Sequence, residues 1–371
     1  LTRYLVENAG FNVIAFEASA ATAGACDRYI CGEDVEIKDA MVGLGMAIWQ
    51  VEELRAFLVD LRALNQERET PIRFFGVDLQ NPGASVGRLT GVLAQIDPAL
   101  ADAWKPRLEL FAALMNQASE DPAGDLPRVE ATVAELEALW QANEEPYTEV
   151  LGLFAYRETK RQMNALRQNL TLVRTSDWSH RDAAMAENTL GIFEVMGEDA
   201  KVVLWAHNGH VSKGPLSYTG TDRLAMGGGI GGALGDGYYA LGLLFDHGQF
   251  QANGYDGKRL VFKRYHLDRA PRGAAAAYFQ AAGARALALD LAAAPPGGVL
   301  ERWIGHDHGS RWLGGYNVPA DINARTRKAS HLMTFRPGRD FDGLLYLEDT
   351  TAAVPLDRAM IDPYLYGNQS D

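Results

Sequence analysis

Residues 201–213 read KVVLWAHNGHVSK, a short apolar run that ends in two histidines. The β-branched and aromatic residues 202–205 favour a buried strand. A central parallel strand is apolar on both faces, so its first polar residues mark where the chain leaves the core. Ligands of open α/β sheets bind at that carboxyl edge. We therefore expect His207 and His210 at a binding edge, although imidazoles that only satisfy backbone groups would give the same pattern.

Two earlier segments repeat this arrangement. FNVIAFEAS at residues 11–19 is an apolar run in which Glu17 appears where the run stops, and IRFFGVDLQ at residues 72–80 carries Asp78 at its end. A single acid at a strand end often only caps the next element. Three such ends in one parallel sheet share an edge, and we predict an α/β protein with a mostly parallel central sheet and flanking helices.

Long segments with helical periodicity separate the second strand from the third. We predict a helical insertion over residues 85–196 that forms one wall of an active-site cleft, between a first core part (1–84) and a second (197–371). In SDWSHRDAAMAENTLGIFEVMG, Ser176 or Asp177 is the expected N-cap. Most aromatic residues of the insertion are expected in its core and a minority at a ligand wall: Trp104, Phe111, Trp140, Tyr147, Phe154 and Tyr156.

The second core part contains a glycine-rich run and a histidine cluster. MGGGIGGALGDGYYALGLLF, residues 226–245, has a spacing like that of dinucleotide-binding loops, but it precedes a strand instead of following one. We interpret its glycine-rich start as a mobile loop and expect no cofactor. Further strands are predicted in YYALGLLFD, LVFKRYHL, RALALDL and FDGLLYLEDT. HDHGSR, with His306 and His308, is interpreted as a solvated turn.

Composition limits the class of partner. The 371 residues are 47% hydrophobic and 22% charged, which is typical of a soluble globular protein. A formal net charge of −13 disfavours nucleic acid and anionic membranes as partners. We expect a small-molecule substrate and favour a monomer. No membrane span or signal peptide is visible, so a cytoplasmic location is expected.

The two cysteines, Cys26 and Cys31, are too few for a disulfide framework. One local bridge is the alternative, but free thiols are favoured. Neither cysteine lies near a histidine in the sequence, and no Gly-x-Ser-x-Gly elbow occurs. Covalent catalysis by serine or cysteine is therefore disfavoured.

Water activation fits the remaining polar groups. A glutamate that accepts from one imidazole N–H fixes the tautomer of that ring and leaves the other nitrogen to handle a proton. A metal site is the competing use of these residues. The His-x-x-His spacing, on what we interpret as an extended loop, lacks the i, i+4 geometry of zinc proteases, so no metal is predicted.

Taken together, these segments resemble the erythromycin esterase family along nearly the whole chain. The resemblance implies a metal-independent hydrolase that opens a macrolide lactone ring by activating water, with an α/β core and a helical portion beside the cleft. By position, Glu17, His207 and His210 match active-site residues of the family, and we expect Asp78, Arg181 and Asn208 to bind substrate. The motifs that carry the resemblance are GFNVIAFEA, AIWQVEELRAFLVDLRALN, FFGVDLQ, RDAAMAENT, VVLWAHNGHVSK, LGDGYYALGLLFDHGQF and FDGLLYLEDT.

One part of the family pattern does not occur in these residues. The principal base of the family is a histidine in a Gly-Glu-x-x-His-Gly segment, followed by an arginine, upstream of the first helix. The chain opens on LTRYLVENAGF, an amphipathic helix with Gly10 as the expected C-cap, and we expect an upstream element before Leu1. Two alternatives stay open: a catalytically silent ligand-binding protein of the same fold, and a metal-dependent hydrolase.

Overall fold

The computed structural model describes residues 1–80, 82–216, 222–256, 259–311, 313–315, 318, 322–323 and 332–357. The chain divides into two units. The first comprises Leu1–Met46 and Ala56–Trp205, and the second comprises Ala47–Arg55 and Ala206–Asp371. No helix in the described ranges is long and apolar enough to cross a membrane.

A three-stranded parallel sheet forms the centre of the first unit. Its strands are β1 (Val13–Ser19), β2 (Arg73–Asp78) and β3 (Val202–Trp205), in the order β2-β1-β3. Phe16 is paired with Gly76 on one side and with Trp205 on the other. All residues of β1 except Glu17 are buried, as expected for a strand with neighbours on both edges. The α/β class and the three predicted strands are confirmed.

Helices make up the rest of the first unit. The amphipathic helix α1 (Thr2–Ala9) is followed by Gly10, whose φ of 72° is the left-handed conformation of a C-cap, as predicted. A further helix begins at Glu52, after a short 3₁₀ turn over Ala47–Trp49, and the chain passes from the second unit to the first within it. The helices are α1 (Thr2–Ala9), α2 (Gly24–Ile30), α3 (Ile37–Gly43), α4 (Glu52–Gln66), α5 (Ser85–Ile96), α6 (Pro98–Met115), α7 (Pro122–Ala142), α8 (Glu144–Leu151), α9 (Leu153–Thr175) and α10 (His180–Met196).

Helices α5 to α9 share one apolar core. It contains five of the six aromatic residues singled out in the sequence, the exception being Phe154. Trp140 and Tyr156 stack with centroids 5.4 Å apart, and the Trp140 indole N–H donates to the Tyr156 carbonyl over 3.2 Å. These rings therefore hold the helices together, because a stacked and hydrogen-bonded pair fixes both side chains.

The start of α10 differs from the prediction. Its N-cap is Ser179, whereas Ser176 ends α9 in the left-handed conformation at φ 52°. Asp177 Oδ1 accepts from the Ser179 backbone N–H over 3.0 Å and from its hydroxyl over 2.6 Å, which forms a turn before the helix. A local pattern with capping residues at positions 176, 177 and 179 does not indicate which of them caps the helix.

The second unit contains a mixed sheet and a small two-stranded sheet. The strands predicted from residue 241 onward exist, but they form a sheet of their own in the order β5-β4-β9-β6, with only β4 and β9 parallel. Strands β7 and β8 are antiparallel. The strands are β4 (Leu241–Asp256), β5 (Arg259–Leu267), β6 (Ala286–Asp290), β7 (His308–Arg311), β8 (Leu332–Phe335) and β9 (Gly343–Thr350).

Short helices complete the second unit. The glycine-rich run expected as a mobile loop forms α12, and the segment with His207 and His210, expected to be extended, contains the one-turn helix α11. Both cysteines of the first unit are free, as predicted. The helices are α11 (Asn208–Val211), α12 (Met226–Leu234), α13 (Ala275–Ala281), α14 (Val299–Ile304) and α15 (Pro337–Asp340).

Candidate active site

Three of the predicted site residues meet in the first unit. Arg181, the second residue of α10, donates from Nη2 to Glu17 Oε1 over 2.8 Å and to Asp78 Oδ2 over 2.7 Å. Its Nε donates to Asp78 Oδ1 over 2.9 Å. Asp78 is fully buried, while the side chains of Glu17 and Arg181 retain 14% and 12% exposure. One guanidinium therefore joins two carboxylates, and one of these retains access to solvent.

A bulge in β1 sets the position of Glu17. The pairing with β2 shifts between Phe16, opposite Gly76, and Ser19, opposite Asp78, so that β1 has one residue more than its partner. Such a bulge re-aims a side chain relative to a regular strand. A Cβ on Gly76 would lie 2.3 Å from the Ser19 carbonyl oxygen, so only glycine allows the two strands to approach here.

The charges of the cluster stabilise one another. Burial lowers the pKa of Arg181, but the charge and hydrogen bonds of Asp78, and then those of Glu17, outweigh it and raise this pKa above its ordinary value. Arg181 thus stays charged and holds the two carboxylates through charge-assisted hydrogen bonds.

Helices α9 and α10 hold β2 beside this cluster. Asn188 donates from Nδ2 to the Val77 carbonyl and to Gln168 Oε1, each over 3.0 Å. The buried Arg161, paired with Glu158, donates to the Gly76 carbonyl over 3.0 Å. In the motif RDAAMAEN, Arg181 therefore binds the carboxylates and Asn188 binds the strand backbone. Sequence analysis missed Asn188, although an amide on the inner face of a helix is a signal of such a backbone contact.

The remaining predicted residues lie on α11 of the second unit. His207 is the N-cap of α11, and its Nδ1 accepts from the Gly209 backbone N–H over 3.1 Å. In the neutral ring the proton therefore resides on Nε2, which makes that nitrogen a donor. The ring of His210, which is 5% exposed, lies edge-on to His207 with centroids 6.3 Å apart.

Neighbouring elements of the second unit fix this segment at several points. Asn208 donates from Nδ2 to the Leu243 carbonyl over 2.6 Å and accepts from the Leu243 N–H over 3.0 Å. The Tyr238 hydroxyl donates to the Val211 carbonyl over 2.6 Å, and Lys213 Nζ lies 2.6 Å from Asp342 Oδ2. A segment bound on both sides of its histidines holds them in a defined orientation.

The glycines of α12 explain why this helix replaces the expected loop. A Cβ on Gly227 would lie 2.1 Å from the Val211 carbonyl oxygen, and one on Gly228 would lie 2.8 Å from the Lys213 carbonyl oxygen. The missing side chains let α12 pack directly on the backbone that follows His210. These glycines are therefore a packing surface and not a phosphate-binding loop.

The structure thus brings Glu17, Asp78 and Arg181 together in one unit, and His207, Asn208 and His210 in the other. That they bind or convert a substrate stays a prediction. Among the described residues, no group of three or more His, Cys, Asp or Glu side chains has an arrangement that could hold a metal ion.

Comparison with known proteins gives a family and a fold. The sequence profile of the erythromycin esterase family matches residues 6–350. A curated relative, erythromycin esterase type II of Escherichia coli, is 25% identical over 271 residues, which are 66% of this chain and 63% of that protein. The chain thus spans less than two thirds of the length of this relative.

Three solved structures share the fold, and each alignment covers 96% of this chain. A Bacillus cereus protein superposes with a TM-score of 0.79 at 19% identity over 85% of its length. A succinoglycan biosynthesis protein gives 0.77 at 16% identity over 84%. A mutant erythromycin esterase in its open conformation gives 0.62 at 16% identity over 86%. At these identities the structures support the α/β fold alone.

Proposed function

The chain belongs to the erythromycin esterase family, and we propose that it is an ester hydrolase that opens a macrolide lactone ring with an activated water. Membership indicates an ester hydrolase. The choice of a macrolide is supported by the name of the Escherichia coli relative at 25% identity. The observation that carries the proposal is the carboxylate of Glu17, held by Arg181 at the carboxyl end of a parallel sheet, where α/β proteins bind their ligands.

Glu17 is the proposed acid–base partner of the reaction. Its carboxylate is fixed on one side by the Arg181 guanidinium and keeps 14% of its side-chain surface exposed. An ionised carboxylate in this setting takes a proton from the water that attacks the ester carbonyl and returns it to the departing alkoxide. Asp78, whose two oxygens both accept from Arg181, is the second anchor of that guanidinium.

His207 is proposed to polarise the ester carbonyl. Since its Nδ1 accepts the Gly209 N–H, the neutral ring presents an Nε2–H donor. A fixed donor directed at an oxygen that becomes negative in the transition state lowers the barrier without reorganisation. His210 and Asn208 on the same helical turn are proposed to orient water and substrate.

The two histidines are proposed to act on the substrate without serving as the base of the reaction. The histidine that the family uses as its principal base has no match in these 371 residues, so His207 and His210 are assigned polarising and orienting roles.

Mass spectrometry of macrolides incubated with the full-length protein tests the proposal. We expect a product heavier by one water, formed at a rate that survives dialysis against a strong chelator. Absence of this product across 14-, 15- and 16-membered macrolides, at roughly millimolar substrate, would reject the macrolide assignment. Activity that follows the occupancy of one bound metal ion per chain would reject the metal-independent mechanism.

A further inference from the structure

A cavity of about 610 Å³ lies within the second unit, and none of the six candidate site residues lines it. Its walls come from α13, α14 and the strands β7 and β8, with the backbone of Ala274 bridged to Gly309. The volume falls in the range of sites for small organic molecules. The HDHGSR segment, interpreted from sequence as a solvated turn, contributes to the wall, and His308 is 7% exposed instead of solvated.

Three rings form an ordered aromatic surface in this cavity. Trp303 and His308 stack with centroids 4.5 Å apart, and Tyr278 stands edge-on to His308 at 5.4 Å. A nitrogen of His308 lies 2.7 Å from the Trp303 carbonyl oxygen, which further fixes the pair. Tyr278 keeps 46% of its surface exposed. A rigid π surface with an accessible phenol ring binds flat rings at low entropic cost.

Positive charge lies beside these rings. Arg272 and Arg302 both line the cavity, and neither makes an ion pair among the described residues. The guanidinium of Arg302 donates from Nη1 to the Gly297 carbonyl over 2.7 Å. Asp307, the acid of the lining, is 2.8 Å from Arg336, whose hydrogen bond lowers the pKa of Asp307. In a chain with a net charge of −13, these two guanidinium groups have no carboxylate partner in the part of the chain that the structure describes, and together they favour binding of an anion.

We propose that this cavity binds a small organic anion, namely a flat ring that carries one carboxylate or phosphate group. The ring lies against Tyr278 and the Trp303–His308 pair, and the acidic group pairs with Arg272 and Arg302. Guanidinium groups bind carboxylate and phosphate through paired hydrogen bonds, which a neutral ligand does not form. Binding in this cavity requires no catalysis, so this proposal can be tested independently of the hydrolase proposal.

Isothermal titration calorimetry of the full-length protein tests this site with matched probes. We expect 1-naphthoate to bind about tenfold more tightly than the neutral 1-naphthylmethanol, and acetate to bind more weakly than either. A parallel titration with AMP distinguishes a free aromatic acid from a nucleotide as the natural source of the anion. Equal affinity for 1-naphthoate and 1-naphthylmethanol, or binding of neither 1-naphthoate nor AMP, would overturn the proposal.

Variants locate the binding. Arg272→Gln with Arg302→Gln removes both charges and is expected to weaken 1-naphthoate about tenfold, while the melting temperature stays near that of the parent because both side chains are exposed. Tyr278→Ala is expected to weaken both naphthyl probes. Arg285→Gln removes a 92% exposed arginine of the same unit outside the cavity and is the matched control. An equal loss of affinity in the control and in the double variant would contradict the site.

Discussion

The Arg181 guanidinium donates to Glu17 Oε1 over 2.8 Å, and it does so from a helix that begins 163 positions later in the chain. Two further hydrogen bonds from Arg181 to Asp78 fix the guanidinium, so the cation that binds Glu17 has a defined position. The proposed mechanism depends on that arrangement, because a carboxylate that accepts and donates protons needs a defined position and a defined charge.

Arg181→Lys keeps the positive charge but replaces a planar group by a single ammonium, which does not serve two carboxylates in the same geometry. We expect kcat to fall about tenfold or more, because the ammonium group of lysine no longer fixes both carboxylates in position. Arg167→Lys, at an arginine with a 51% exposed side chain in α9, is the control. An unchanged rate in Arg181→Lys would show that Arg181 does not position Glu17.

Two substitutions separate the capping role of His207 from its chemical role. His207→Asn retains an acceptor for the Gly209 N–H and should keep the unfolding free energy, whereas His207→Ala should lower it by about 1 kcal/mol. Both remove the Nε2–H donor and should lower kcat by roughly 10²-fold or more. Denaturant titration and steady-state rates give the two readouts. Full activity in His207→Asn would exclude the polarising role.

Much of the candidate site was predictable from strand ends. The apolar runs that precede or contain Glu17, Asp78 and His207 are short, and they form the strands β1, β2 and β3 of one parallel sheet, with His207 beyond the end of β3. The contacts of Arg181 could not be predicted from strand ends. The sequence predicts Arg181 as a substrate ligand, and nothing in its local sequence indicates that it lies between two carboxylates from other elements. Long-range pairing of this kind depends on how helices dock, which periodicity does not contain.

The glycine-rich helix gives a matched pair of variants. Gly227→Ala places a Cβ 2.1 Å from the Val211 carbonyl oxygen, so the backbone that follows His210 must move. We expect a loss of about 1–3 kcal/mol in unfolding free energy and a lower kcat. Gly232→Ala, in the same helix with no atom within 4 Å of the new Cβ, should stabilise the protein by up to about 1 kcal/mol. If Gly227→Ala matched Gly232→Ala in both measurements, α12 would not support the histidine segment.

The same helix shows where a local pattern misleads. Its high content of glycine favours a loop, since each glycine destabilises a helix by about 1 kcal/mol relative to alanine. The contact with residues 211–213 overrides that propensity, because only a helix without side chains on one face approaches the backbone so closely. The prediction that His308 lies in a solvated turn is wrong for a related reason. Its stacking partner Trp303 belongs to the preceding helix, and the sequence gives no sign that the two rings meet.

Cysteine chemistry offers a test that is independent of catalysis. Burial, and next the charge of Asp27, raise the pKa of Cys31 to about 11. At pH 8 only about 10⁻³ of this thiol is ionised, so alkylation by iodoacetamide should be slow and should speed up about tenfold per pH unit until about pH 11. Cys31→Ser should abolish the reaction in the folded protein, because Cys26 is fully buried and its pKa is also raised. Alkylation of Cys31 at pH 8 as fast as that of a small thiol would contradict this environment.

The raised pKa of Cys31 also makes the stability of the protein depend on pH. Because this pKa in the folded protein lies above the reference value of 9.0, the contribution of Cys31 to the unfolding free energy is fully present below about pH 9. It is lost as the pH rises toward about 11, because the unfolded thiol then releases its proton more readily. Chemical denaturation between pH 8 and 11 should show a steeper decline in the parent protein than in Cys31→Ser.

The most direct test of the proposed mechanism is the rate at which Glu17→Gln opens a macrolide ring, measured by mass spectrometry in parallel with the parent protein. The substitution keeps the shape of the side chain and removes its charge, so we expect a rate at least about 10²-fold lower with little change in melting temperature. Glu7→Gln, at an exposed glutamate of α1 paired with Arg3, should retain the parental rate. A Glu17→Gln protein that opens the ring at the parental rate would show that Glu17 is structural and that the proposed mechanism is wrong.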